Sequence, residues 1–210
     1  MSCQSIIFIL QKIVSSLEER RAELNRLDAN IGDGDHGRTI TNAFKNTLEQ
    51  MKSFEEKDIG SALKKMGKIL AFSTGAAAGP LFGSAFMEAG KRVEGKEELT
   101  LKDWRDALMG AVEGIKKRGK AEVGEKTMLD TIYPAAQALK RSVENNDSLK
   151  QGLSEALQAA RQGMESTKDL ISKRGRSSRL GERTKGYIDP GAASSYYILE
   201  AIITSCLEKK

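Results

Sequence analysis

The chain has 210 residues, with 34 Lys and Arg against 29 Asp and Glu for a formal charge of +5. This length can bury a self-sufficient core, and one domain spanning 1–210 is expected. The basic excess is interspersed with acids, and six Phe, four Tyr and one Trp form no aromatic-basic platform, so nucleic acid is not an expected partner. Cys3 and Cys206, near opposite ends, cannot supply a dense disulfide framework, which favours a reducing compartment.

In chain order, the apolar run Ile6 to Leu10 is too short to span a bilayer and lacks a basic leader. It continues at helical spacing into Ile13, Val14, Leu17 and Leu24. No membrane association is expected, and a cytoplasmic location is. Ile59, Leu63, Met66 and Leu70 repeat the 3.6-residue period, as do Leu101, Trp104, Leu108, Ala111 and Ile115 behind a Thr100 N-cap with Asp103 as its reciprocal partner. Ile132, Ala136, Leu139 and Val143 follow, then Leu149, Leu153, Ala156, Ala160 and Met164, and finally Ile198, Leu199, Ile202, Ile203 and Cys206. No stretch alternates with period two between hairpin turns. The pattern predicts an all-α protein, a bundle of about eight mainly antiparallel helices with short loops.

Three polar or glycine-rich segments interrupt it: Asp28 to Thr39, Ser73 to Gly83, and Ser172 to Gly191. The first places Asp28, Asp33 and Asp35 among glycines. Three anions held together call for a counter-cation, and hard oxygen ligands suit Mg²⁺ or Ca²⁺. The spacing fails as an EF-hand, because from Asp33 the sixth position is Arg38 and the twelfth is Phe44. Mg²⁺ is therefore preferred. A polar turn with an N-cap is the simpler use of Asp-Gly-Asp. The third Asp and the helix start at His36-Gly37-Arg38-Thr39, a natural phosphate seat, favour the metal.

In the second interruption Pro80 fits the first turn of a helix, and Gly75-Ala76-Ala77-Ala78-Gly79 is small enough either to admit a base or phosphate or to pack helices tightly. Neither a P-loop nor a Rossmann fingerprint is present. The third is long, basic and glycine-punctuated, as expected of a disordered loop or of a lid that brings arginine to transferring phosphates.

Together these segments resemble the nucleotide-binding L subunits of dihydroxyacetone kinase, the DhaL family. The motifs run in order: Asp28 through Gly37, Gly75 through Gly83, Arg118-Gly119-Lys120-Ala121 with Gly124-Glu125-Lys126-Thr127-Met128, and Gly175-Arg176-Ser177 through Leu180-Gly181-Glu182-Arg183 to Asp189-Pro190-Gly191. The resemblance covers nearly the whole chain. It implies an eight-helix antiparallel barrel with the nucleotide site in the loops at one end. It further implies two Mg²⁺ bridged by Asp28, Asp33 and Asp35, and contacts to ADP or ATP from His36, Gly37, Arg38, Thr39, Ala77, Ala78, Gly119, Met128, Arg176, Asp189, Pro190 and Gly191. Catalytic roles fall on Arg176, holding transition-state charge, and on His36 as a phosphate contact.

The implied partners are a separate K subunit that holds dihydroxyacetone and a phosphotransferase-system M subunit that recharges the bound ADP; a homodimer is left open. Departures from the family pattern are Ala78 where serine is usual, Thr39 where Asn is frequent, and Arg179 where an apolar residue is common. Rival readings are an ATP-exchanging kinase subunit for another small ketose or a carrier-bound fatty acid, and a nucleotide-sensing adaptor without turnover.

Overall fold

The structure is a computed structural model and describes residues 4–54 and 58–207, with side chains from Ile6 onward. Cys3 lies outside the described residues. The periodic segments form helices: α1 (Gln4–Glu19), α2 (Arg21–Ile31), α3 (His36–Met51), α4 (Ile59–Phe72), α5 (Ala78–Arg92), α6 (Leu101–Gly119), α7 (Leu129–Glu144), α8 (Leu149–Ser166) and α9 (Pro190–Leu207). No strand occurs among the described residues.

α1 and α2 form one rod broken at Arg20 (φ −99°, ψ 7°). Arg20 N–H still reaches Ser16 O and Leu24 N–H reaches Arg20 O, at 3.3 and 2.9 Å, so the backbone ladder carries across the break. The Arg20 guanidinium bonds Glu200 at 3.1 Å and lies over the Tyr197 ring, fixing the bend against α9. Counted as one rod, α1 and α2 bring the described total to the expected eight.

The helix starts follow from local chemistry. Thr100 and Asp103 form the expected capping box at α6, and Asp58 and Ser148 accept backbone N–H groups at α4 and α8, satisfying donors that have no intrahelical partner. Inside α7, Pro134 has no N–H for the carbonyl of Asp130. α8 covers that carbonyl with Gly163, where an added Cβ would sit 2.1 Å from the oxygen.

Neighbours in sequence are neighbours in space. α3 packs on α1 and α2, each of α4 through α9 packs on its predecessor apart from the intervening loops, and α9 returns to α1. The result is a closed up-and-down circuit. α9, buried around most of its circumference, also touches α2, α3 and α7.

The α4–α5 wall is a glycine seam: a Cβ on Gly67 would lie 2.6 Å from Gly83 O, and one on Gly60 the same distance from Gly90 O. Backbones in such contact leave little room for adjustment. Between the walls runs an apolar cavity of about 110 Å³, lined by residues such as Ile9, Ile13, Met66, Phe82, Trp104 and Ile198. No helix of the described residues is long and apolar enough to cross a membrane.

Candidate functional site: a cleft at the helix N-termini

An up-and-down circuit brings alternate helix starts to the same end. Here the starts of α3, α5, α7 and α9 border one cleft of about 780 Å³, which His36, Ala78, Pro190 and Met128, the residue before α7, help to line. Each start contributes a positive dipole end, a setting that favours anions, although many first-turn N–H groups of α3, α7 and α9 are already bonded within the chain. The antiparallel partners end there too, with Asp28 in the last turn of α2 and Arg118 in that of α6.

The carboxylate segment is tighter than expected. α2 runs through Ile31, so only Gly32 to Asp35 is loop, and Asp28 projects from a helix. Its Oδ2 accepts the N–H groups of Asp35 (2.9 Å) and His36 (3.1 Å), joining the end of α2 to the start of α3. A Cβ on Gly32 would lie 2.3 Å from Asp28 Oδ1, and Gly34 holds φ at +78°. These glycines let the chain turn within four residues. Asp28, Asp33 and Asp35 thereby place one carboxylate oxygen each within 4.8 Å of one another.

The other loops close around this cluster. Gly75 through Ala78 and Pro80 form one wall, Arg118, Gly119 and Ala121 a second, and Asp189 through Gly191 a third. Within the long third interruption Ser177–Thr184 forms two 3₁₀ turns kinked at Gly181 (φ 53°, ψ −128°), hung on the preceding chain by a bond from Ser172 N–H to Thr184 Oγ1 at 3.0 Å. From its front edge Arg176 reaches across to Asp33. Arg174 grips Glu125 with two nitrogens, tying this segment to the α6–α7 loop.

Of the residues singled out in the sequence, Asp28, Asp33, Asp35, His36, Thr39, Ala77, Ala78, Gly119, Met128, Arg176, Asp189, Pro190 and Gly191 line the cleft. Gly37 and Arg38 do not. Gly37 faces α2, where a Cβ would meet Arg21 O at 2.3 Å, so glycine there permits helix contact. Arg38 turns its side chain to Asp35 at 3.3 Å and its N–H to Asn25. Lys126 stood in the sequence only as part of the Gly124 to Met128 motif, with no role of its own, and Asp130 was not singled out; the two organise the α6–α7 loop. Asp130 caps it by accepting the N–H groups of Gly124 and Thr127. Besides that motif, the signal was the polar cluster Gly124 to Thr127 interrupting helical periodicity between Ile115 and Ile132.

Burial tunes the titratable groups. His36 Nε2 sits 2.9 Å from Ser194 Oγ, and burial pushes the imidazole pKa below its ordinary value against the pull of Asp28 and Asp35. The ring is therefore neutral at neutral pH. Asp189, capping α9 through the Ala192 N–H at 2.8 Å, is pushed by burial up to about 7.

The fold is a closed helical circuit with a carboxylate trio and Arg118, Arg174 and Arg176 gathered at one end. The chain belongs to the DAK2 domain family, whose profile matches residues 30–204, and within it falls among the DhaL-type chains.

It is 38% identical over 197 residues to the PEP-dependent dihydroxyacetone kinase 2, ADP-binding subunit DhaL, of Listeria innocua, covering 93% of this chain and 91% of that one. It is 37% identical to the corresponding Escherichia coli subunit over 88% of each chain. Among solved structures, the native dihydroxyacetone kinase of C. freundii matches with a TM-score of 0.73 and 25% identity, over 98% of this chain and 35% of that one. The same protein with AMP-PNP and Mg²⁺ gives 0.70 and 24%, over 98% and 34%. The chain thus spans about a third of that protein's length.

Proposed function

We propose that this chain, acting as a single domain, is the nucleotide-carrying subunit of a dihydroxyacetone kinase. It would pass a phosphoryl group from bound ATP to dihydroxyacetone held by a separate K subunit. The observation that carries the reading is the convergence of Asp28, Asp33 and Asp35 at the mouth of a cleft bordered by four helix N-termini. The likeness to ADP-binding DhaL subunits over nearly the full length of both chains supports it.

The donor set fits a hard divalent cation. Three carboxylates from one short segment share a point, and Asp28 presents Oδ1 with its Oδ2 already engaged by backbone N–H groups. Asp28, Asp33 and Asp35 would hold two Mg²⁺. When bound, these supply charge neutralisation and a template for the phosphate oxygens.

The chain's own groups do the rest. The positive dipole ends of α3, α5, α7 and α9 would draw the phosphates. Ser194 fixes the His36 ring where it can contact a phosphate oxygen. Arg176, about three-quarters exposed on its side chain, is free to swing from Asp33 to the transferring group and hold its developing charge. Ala77, Ala78, Gly119, Met128 and the Asp189-Pro190-Gly191 turn would flank the nucleotide. Positioning and electrostatics suffice for this transfer, and no side chain here needs to act as general base.

In this reading ADP stays bound and is recharged by a phosphotransferase-system M subunit. The decisive experiment combines the chain, its K subunit and dihydroxyacetone. Product formed with phosphorylated M subunit and catalytic ADP supports recharging, whereas product only with free ATP shows exchange. Asp33→Asn is expected to abolish turnover and Mg²⁺-dependent ADP binding together. Full turnover by Asp33→Asn would remove the carboxylate cluster from the mechanism, and ADP binding without any turnover would leave a sensing adaptor.

A further inference from the structure

Lys126 lines the cleft under two unusual constraints. The residue is 1% exposed, yet its side chain ends in an ammonium. Its backbone holds φ at +61°, a left-handed conformation that costs a non-glycine residue on the order of 1 kcal/mol. Burying a cation adds a further penalty unless every donor is matched. Two unfavourable choices at one position persist only where the surroundings impose them, and such positions concentrate at functional sites.

The partners of that ammonium are main-chain carbonyls. Lys126 Nζ donates to Thr167 O and Tyr187 O, which lie 41 and 61 residues away in sequence. Asp189, Asp130 and Asp169 face it through space. The same joint is reinforced around it: Thr167 Oγ1 accepts the Asp189 N–H at 3.0 Å, and Gly186 N–H reaches Lys168 O at 2.8 Å. The segment 186–189, which delivers Pro190 and Gly191 to the cleft, is therefore suspended from Lys126 and the 3₁₀ turn Thr167–Asp169. Beside the turn stands Met128, two residues from Lys126. A Cβ on Gly191 would lie 3.9 Å from both Met128 Cβ and Met128 N.

We propose that Lys126 is a positioning residue of the nucleotide cleft: by gripping the carbonyls of Thr167 and Tyr187 it sets the Asp189-Pro190-Gly191 turn beside Met128, and so fixes the shape of the cleft wall on which an adenine nucleotide would rest. One residue thereby holds two walls in register, because its backbone shapes the α6–α7 loop while its side chain anchors the start of α9. This inference rests on the nucleotide-binding reading given above.

The test is calorimetric titration with ADP in excess Mg²⁺, at a temperature where circular dichroism shows each protein fully folded. Lys126→Met matches the length of the side chain and removes the donors, and it is expected to bind ADP at least tenfold more weakly while keeping its helix content. Lys126→Arg retains charge and donors on a bulkier end and is expected to fall between that variant and the parent. Amide exchange at Gly191 and Ala192, measured without ligand, is expected to quicken in Lys126→Met.

A folded Lys126→Met with ADP affinity within twofold of the parent, whatever its melting temperature, overturns the proposal by reducing Lys126 to a structural joint. If Lys126→Met does not fold, Lys126→Arg decides: parental affinity overturns the proposal, and a loss of threefold or more supports it. Failure of the unmodified chain to bind ADP refutes the nucleotide reading itself, an outcome distinct from equal binding by parent and variants.

Discussion

Replacing Asp189 by Asn isolates the energetic consequence of burying a carboxylate at the start of α9. Burial raises its pKa from 3.8 to about 7. The folded state thus favours the protonated acid, and its relative stability is fully present below the unfolded pKa and is lost as pH rises through the folded one. Each tenfold in proton affinity is worth about 1.4 kcal/mol, so the interval corresponds to roughly 4 kcal/mol lost between about pH 4 and pH 8. Asn cannot ionise, but its carbonyl can still accept the Ala192 N–H that Asp189 Oδ2 takes at 2.8 Å. Any change in packing or capping adds a constant offset, and only the ionisation varies with pH. Urea unfolding of parent and Asp189→Asn with chelator and without nucleotide should therefore show the variant gaining on the parent by about 2 to 4 kcal/mol from pH 4.5 to 8. A difference that stays flat across this range, or that moves in favour of the parent, would refute the assignment of Asp189 as a carboxylate held against its charge.

Other expectations follow from the same structure. Mg²⁺ and ADP together, at about 100 times the dissociation constant, should stabilise the chain by about 2.7 kcal/mol and raise its melting temperature by about 5–10 °C; persistence of the shift in EDTA would contradict the carboxylate site. Gly67→Ala drives a Cβ to 2.6 Å from Gly83 O and 2.7 Å from Met87 N. Overpacking of about 1–3 kcal/mol should outweigh the roughly 1 kcal/mol that alanine adds to a helix interior, and a calorimetric scan showing an unchanged or higher melting temperature would show slack in the seam. Thr100→Ala removes the capping box at the end of α6 opposite Gly119, with an expected loss of about 1 kcal/mol in chemical denaturation and no change in ADP affinity by titration.

Much of the architecture was legible because it depends on local periodicity. Ile6 through Leu24, Leu101 through Ile115 and Leu153 through Met164 each repeat at helical spacing and face the core of the barrel, whereas Leu149, counted with the last of them, is exposed. The carboxylate segment was legible because Asp and Gly break that rhythm. Its detail was less so, since α2 continues through Ile31 and turns Asp28 from a loop residue into a helical one. Gly37 illustrates a different limit: it stands in a motif that reads as a phosphate seat, but its missing side chain faces α2. The role of Lys126 was illegible for a third reason. A lysine in a polar stretch looks solvated, and its burial is decided by Thr167 and Tyr187, whose proximity exists only after the circuit closes. The Arg20 break has the same origin, in Glu200 and Tyr197 at the far end of the chain.

The lumen between the helices also shapes how the protein meets physical stress. A volume of about 110 Å³ per molecule corresponds to about 66 mL per mole, inside the range of volume decreases that accompany unfolding. Its lining is almost wholly apolar, and the one hydroxyl, on Ser195, is already committed to Gly191 O, so water gains few partners by entering while the fold is intact. Hydrostatic compression should accordingly act on this molecule through its hollow axis, favouring states in which the staves part and solvent floods the interior.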